Sequence, residues 1–310
     1  MILSRKKDSY IKRLMKDMVN NWILYVMILP VILYVLLFCY APMYGVTLAF
    51  KAYKIKDGIF ASRWVGFEYF SRFMRSYSFS NLIRNTLGVS VYTLVVGFPL
   101  PIIFALLLNY LRLPKLKKSI QLISYAPHFI SVVVMCGIIK LFFADKGPLN
   151  RLTEMMGGQT INYLTSPAIY KSLYVWTGVW QSMGWSAIIY ISALAGVDYE
   201  IHEAAIVDGA TKIKRIIHID LPSIKPTVVM LLIMNVGGLM GVGFDKAYLL
   251  QNELNLSSSE NLATYIYKMG LIKSDYSLST AAGLFNTVIN LTLIVTANTV
   301  SKRLADESLF

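Results

Sequence analysis

At 310 residues the chain has room for two soluble domains, but 56% hydrophobic and only 15% charged residues, with a mean hydropathy of +0.55, exclude a soluble globular surface. The formal charge of +13 does not point to nucleic acid, because the basic residues flank apolar stretches instead of lining one soluble face. Runs free of charge at 20–50, 85–111, 119–139, 172–197, 226–244 and 276–301 each reach the roughly 18–20 residues that a helix needs to cross a hydrocarbon core.

In lipid every segment must satisfy its own backbone hydrogen bonds, so the predicted fold is all-α and integral to the membrane, with six transmembrane helices. Residues 1–20 come first, carrying Arg5, Lys6, Lys7, Lys12, Arg13 and Lys16, with Ile11, Leu14, Met15 and Met18 at helical spacing. That pattern predicts an amphipathic segment on the cytoplasmic membrane surface; a basic partner-binding helix is the alternative. The apolar run after it is longer than a signal-peptide core and has no small-residue cleavage site, so it is expected as a retained first span. Residues 21–310 are expected to form one six-span domain.

Span one runs from about Trp22 to near Pro42-Met43-Tyr44-Gly45, with Pro30 inside it. The aromatic segment 51–80 should pack over the outer face. Span two, about 82–108, holds Pro99 and Pro101, which should break or bend it. Arg112, Lys115, Lys117 and Lys118 place the next loop in the cytoplasm. Span three, 119–141, carries Pro127-His128, where His128 fits helix packing better than metal or proton chemistry. An outer loop at 142–171 leads to span four at 172–194. Span five should begin after Pro226, and its Gly237, Gly238, Gly241 and Gly243 permit close helix approach or a hinge. A polar outer loop, 245–274, precedes span six, which Lys302 and Arg303 end inside. Both termini then lie in the cytoplasm, although Lys51, Lys54, Lys56, Arg63, Arg72 and Arg75 run against the positive-inside trend. Those outer charges are compatible with an acidic glycan, and equally with loop packing or lipid contact.

Between spans four and five, at 196–224, the sequence breaks into charge: Asp198, Glu200, Glu203 and Asp208, then Lys212, Lys214 and Arg215. A polar island between two apolar spans must sit in water. Asp198 suits an N-cap and Glu200 the first turn of a short helix, which Gly209 ends or bends. A second helical piece, 210–217, should stop before Leu221-Pro222, because proline disfavours helix at the preceding residue. Ala204 and Ala205 leave a surface against which a partner can pack closely.

Glu203-Ala204-Ala205, three residues, Gly209, nine residues, Ile219, one residue and Leu221-Pro222 resemble, without gaps, the EAA motif of binding-protein-dependent ABC importer permeases. Pro42-Met43-Tyr44-Gly45, Trp64-Val65-Gly66-Phe67, Pro127-His128-Phe129-Ile130-Ser131 and Gly243-Phe244-Asp245-Lys246 are similar to its lipo-oligosaccharide/polysaccharide branch. The resemblance implies a type I importer permease fold with a cytoplasmic coupling helix between spans four and five. It also implies a second permease subunit, a distinct paralogue, and two cytoplasmic ATPase subunits that bind ATP and Mg. An extracellular sugar-binding protein would deliver the oligosaccharide. In that scheme Glu203 would contact the ATPase, Ala204 and Ala205 would form the packing surface, and Gly209 the bend, with Asp208, Leu221 and Pro222 completing the coupling set. This chain is expected to hydrolyse nothing itself, since it has no phosphate-binding loop, and no catalytic residue, bound cofactor, metal or nucleic acid is expected for it.

For the sugar path, span four offers Tyr174, Trp176, Trp180 and Gln181. Trp176 and Trp180 share a helix face; they could stack on sugar rings or belong to an interfacial belt. Asn286 and Asn290 on span six could bond hydroxyls or bridge helices. An ion-coupled secondary transporter is the competing class, but no carboxylate lies within a span. An intramembrane enzyme would need a catalytic set that His128 alone does not supply.

Overall fold

A computed structural model describes Lys12, Met15 and residues 17–305. Most of the amphipathic segment expected at 1–20 therefore lies outside the described residues. The chain divides into two compact units, Met1–Phe67 and Glu68–Phe310.

In the first unit, α1 (Trp22–Val35) continues through a π turn (Leu36–Tyr40) and a 3-10 helix (Ala41–Phe50), a helical run of 29 residues. It is apolar on every face and none of α1 is buried, as for a helix solvated by lipid. Strands β1 (Lys51–Ala52) and β2 (Arg63–Trp64) pair antiparallel around α2 (Gly58–Ala61). Phe50 stacks on Trp64 and meets Phe67 edge-on, with centroids 5.5 Å apart in both pairs.

The second unit opens with α3 (Glu68–Met74), α4 (Phe79–Gly97) and α5 (Pro99–Asn109). Helices α4 and α5 form one run of 31 residues despite Pro99 and Pro101. Phe98 stays helical, and Pro99 opens α5 at a first-turn position where no backbone donor is needed. The polar loop after α5 leads to α6 (Pro114–Tyr125), a 3-10 turn (Ala126–Phe129) and α7 (Val132–Phe142).

The span expected at 119–141 is bent: the chain turns by 102° between α6 with its 3-10 turn and α7. Ile130 and Ser131 are extended, and Ser131 caps α7 by accepting from the Val134 amide. The carbonyl of Ile130, freed by the break, accepts from Gln181 Nε2 at 2.9 Å. Irregular backbone among apolar helices persists where a neighbouring side chain satisfies it.

Next come α8 (Pro148–Met155) and α9 (Pro167–Ala195), against which α4, α5 and α6 all pack. At 29 residues α9 is long enough to cross a membrane, though among the described residues four other helices are the ones apolar enough to do so by composition. Those four are 22–50, 79–109, 212–237 and 276–303, with the bent α6–α7 pair as a fifth. Helix α9 crosses α6 closely at Gly184: a Cβ there would lie 2.2 Å from the Ser124 carbonyl oxygen. Backbone cannot yield as a side-chain tip can. Gly184→Ala should therefore cost the ~1–3 kcal/mol typical of overpacking, toward its upper end, and lower the thermal unfolding midpoint in detergent.

After α9 come α10 (Tyr199–Val207) and α11 (Lys212–Arg215), then a π turn (Ile216–Asp220) and α12 (Leu221–Gly237). An expectation is corrected here. The helix does not stop before Leu221-Pro222, and span five does not wait for Pro226; helix runs unbroken from Lys212 to Gly237. In the π turn the Leu221 amide donates to Ile216 O, one residue wider than α spacing. That shift lets Pro222, which has no amide proton, enter at the first turn of α12.

The stretch expected as a polar outer loop, 245–274, is instead α13 (Phe244–Leu250), α14 (Leu256–Ser259), α15 (Leu262–Tyr267) and a π turn (Lys268–Ile272). Buried polar side chains bond to backbone here: Asn255 Nδ2 to Leu164 O and Leu250 O, and Asn85 Nδ2 of α4 to Ser257 O and Glu260 O. An Asn261–Thr264 capping box starts α15. Helix α16 (Tyr276–Ala305) closes the unit, packing on α12 and α3, with Phe73 buried among Phe79, Tyr265 and Phe285.

Candidate functional site

Helix α10 and the turn after it form the first candidate site. Asp198 caps the helix, its carboxylate accepting from the Glu200 amide at 3.0 Å. At the other end Gly209 adopts φ +75°. Its amide donates to Ile206 O at 3.0 Å and that of Ala210 to Ala205 O at 2.8 Å. These two bonds form the left-handed C-terminal cap for which glycine is the preferred residue. The chain then re-enters helix under a second cap, Thr211.

This helix presents apolar side chains as well as charge. Tyr199 is 68% and Val207 87% exposed, and Ile201, Ile206 and Ile213 are also exposed. Glu203, Ala204, Asp208, Gly209, Leu221 and Pro222 are exposed, and Ala205 is half-buried. Isolated exposed apolar residues are ordinary, but several together on a helix of nine residues form an exposed apolar patch.

Beneath the patch lies a buried polar cluster that sequence reasoning missed. Asp220, with no exposed surface, accepts from the Tyr110 hydroxyl at 2.6 Å, and His202 Nε2 stands 3.4 Å from its other oxygen. Arg215 lies over the Tyr110 ring, 5.4 Å from its centroid. Burial first, then the bond to Asp220, raise the Tyr110 phenol well above its ordinary value, so it remains a donor. The cluster ties α10, through His202, to the end of α5 and to the π turn. A sequence signal existed: Asp220 is a carboxylate directly before Leu-Pro in an apolar stretch.

The second candidate site is a cavity of about 840 Å³ walled by α4, α5, α9, α12, α13 and the segment between α12 and α13. Its wall mixes Phe98, Trp185 and Tyr190 with Ser90, Gln181 and Asn235, the aromatic and hydrogen-bonding lining that suits a polyhydroxylated ligand.

The expected path residues separate here. Tyr174 and Gln181 line the cavity. Tyr174 is buried and its hydroxyl faces Gly243 O at 3.4 Å. Trp176 and Trp180 are half exposed on a face of α9 outside the cavity lining, and Trp176 Nε1 donates to the Tyr92 hydroxyl at 3.0 Å. Asn290 accepts from the Met240 amide at 3.0 Å, bridging α16 to the end of span five. The Asn286 side-chain oxygen is buried without a hydrogen-bond partner among the described residues, and neither asparagine lines the cavity. His128 stacks flat on Trp185 at 4.5 Å.

One wall residue carries charge. Lys246, 9% exposed, donates from Nζ to Tyr174 O at 2.7 Å and lies over the Tyr174 ring, 4.7 Å from its centroid. Helix α13 is not one of the spans, and burial pulls the Lys246 ammonium down from its ordinary value to about 8.

Residues 87–306 match the family described as binding-protein-dependent transport system inner membrane component. Protein LplB of Bacillus subtilis (strain 168) is 40% identical over 306 residues, covering 98% of this chain and 95% of LplB. The polygalacturonan/rhamnogalacturonan transport system permease protein YteP of the same strain is 39% identical over 300 residues, covering 96% and 94%. Among solved structures, a chain of a bacterial ABC transporter involved in the import of the acidic polysaccharide alginate superposes with a TM-score of 0.88. It is 36% identical and covers 94% of this chain and 99% of that one. Another, 35% identical with a TM-score of 0.88, covers 96% and 100% and comes from a bacterial alginate ABC transporter in complex with an alginate pentasaccharide-bound periplasmic protein.

Proposed function

This chain belongs to the binding-protein-dependent transport system inner membrane components, in the carbohydrate branch of the ABC importer permeases, and from that premise we propose that it forms half of the translocation pathway of an ATP-driven oligosaccharide importer. The observation that carries the reading is α10: a capped, solvent-exposed helix with an apolar patch, held between two spans by a buried anchor. In this reading six spans cross the membrane, namely the four long apolar helices, the bent α6–α7 pair and α9, with both termini in the cytoplasm. A second, distinct permease completes the pathway, and lipid surrounds both.

Helix α10 couples to one of two cytoplasmic ATPase subunits, which bind ATP and Mg and perform the hydrolysis. Glu203 offers that subunit an ionic contact, Ala204 and Ala205 allow close approach, and Asp208 and Gly209 shape the exit from the helix. Leu221 and Pro222 join the loop to span five. An extracellular binding protein delivers the sugar, a reading supported by the neighbour captured with a saccharide-loaded periplasmic protein. Of the path candidates, Tyr174 and Gln181 have the stronger geometric case because they line the cavity. Trp176, Trp180, Asn286 and Asn290 would act from outside the wall described here. An ion-coupled carrier is not favoured by any of the relatives.

The test is purification of the assembled transporter in detergent. An ATPase and a second permease should co-purify with the chain, and deleting residues 199–209 should abolish the ATPase contact. An ATPase that stays bound as tightly to the deletion variant sinks the coupling role. Membrane vesicles that show no ATP-dependent oligosaccharide uptake sink the transport reading.

A further inference from the structure

Lys246 is the residue that hydropathy places outside the membrane and the fold places in the wall of the cavity. The residue is nine-tenths buried, and its ammonium has no ion-pair partner among the described residues, where the pairs are Arg72–Asp275, His202–Asp220 and Lys268–Glu260. Its one hydrogen bond goes to a neutral acceptor, the Tyr174 carbonyl. An ammonium has three donors, so two remain for a ligand. Burying a cation without a counter-charge is costly, and structure that tolerates this cost at a cavity wall is arranged for an arriving anion.

The surroundings reinforce the placement. Gly178 on α9 leaves room for the ammonium, since a Cβ there would stand 3.2 Å from Nζ. Tyr174 supplies both the carbonyl and the ring face that hold the side chain. Trp185, Gln181 and Asn235 on the same cavity wall provide an aromatic face and amides for ring and hydroxyls.

We propose that the cavity takes carboxylate-bearing oligosaccharides, and that Lys246 receives the sugar carboxylate during passage. This rests on the transport reading above and adds its substrate class. A point charge at the end of a flexible stem suits a moving ligand, because it pairs with successive carboxylates without the bidentate geometry that arginine imposes.

Calorimetric titration of the purified permease–ATPase complex in lipid discs, without binding protein, tests it. The probes are a tetramer of galacturonate and the same tetramer with its carboxyls reduced. The intact complex should bind the acidic form at least ~10-fold more tightly, about the effect of one net 1.4 kcal/mol charge contact. Lys246→Gln should erase that preference while neutral binding stays, Lys246→Arg should keep most of it, and Gly178→Ala, which crowds the ammonium without removing it, should weaken the acidic form severalfold. A purely structural role for Lys246 would move both probes together.

Equal binding of the two probes by the intact complex overturns the proposal, as does a preference that survives Lys246→Gln, or, if that variant does not assemble, one untouched by Gly178→Ala. Uptake of both probes in ATP-loaded vesicles separates the levels. Uptake without acid preference removes the role of Lys246 alone, whereas no ATP-driven uptake of either probe removes the transport reading beneath it.

Discussion

Gly209→Val should reduce ATP-driven uptake by at least ~10-fold while the membrane part keeps its thermal unfolding midpoint, because a β-branched residue is a genuine outlier at positive φ. At φ +75° there is nothing within 4 Å of an added Cβ, so the penalty is torsional and comes from no clash. L-residues pay roughly 1–2 kcal/mol in the left-handed region, and valine pays more. The chain escapes that cost by giving up the bonds from Gly209 to Ile206 and from Ala210 to Ala205. The exit of α10 then loses its direction. Asparagine tolerates the left-handed region, so Gly209→Asn should recover most of the uptake. Full activity in the valine variant would show that the turn does not set the docking geometry.

Asp220→Ala should be the most damaging single change in the coupling region. It strands the Tyr110 hydroxyl and removes the oxygen facing His202, and leaving a buried donor unsatisfied costs ~1–3 kcal/mol. We expect a clear drop in the unfolding midpoint and ATP hydrolysis that no longer tracks uptake, since α10 would no longer be tied to α5 and α12. Asp220→Asn keeps an acceptor for Tyr110 but removes the charge facing His202, and should fall between. The ratio of sugar moved to ATP hydrolysed, measured in vesicles, distinguishes the anchor from a bystander. An unchanged ratio and midpoint in the alanine variant would dismiss it.

Much of the helical structure at 196–224 was legible because its determinants are local. Asp198 before a helical stretch and Gly209 after it are caps that depend on neighbours a few residues away. Proline at 222 misled for an equally local reason: the usual rule assumes α spacing, and one π turn removes the conflict. The bend at Ile130–Ser131 escaped because hydropathy counts apolar residues and is blind to direction. Tyr110 and Asp220 are 110 positions apart, and no single sequence shows that they meet. Lys246 was assigned to a polar outer loop on composition, yet α13 packs on α7 and places Ala247 and Leu250 in the core. Where polar residues are satisfied by backbone, as at Asn255 and Asn261, polarity stops predicting exposure.

The unbroken helix from Lys212 to Gly237 has a mechanical consequence. Its 26 residues make a rod ~39 Å long at 1.5 Å per residue, with the docking turn at one end and the cavity wall residues Leu231 and Asn235 toward the other. Had the helix stopped before Pro222, a push on the turn would have been absorbed at a joint. If α10 couples as proposed, a tilt of ~5° on that length sweeps the far end through ~3 Å, about the thickness of one layer of atoms. Asp220, pinned near the pushed end, is where such a lever would find its fulcrum.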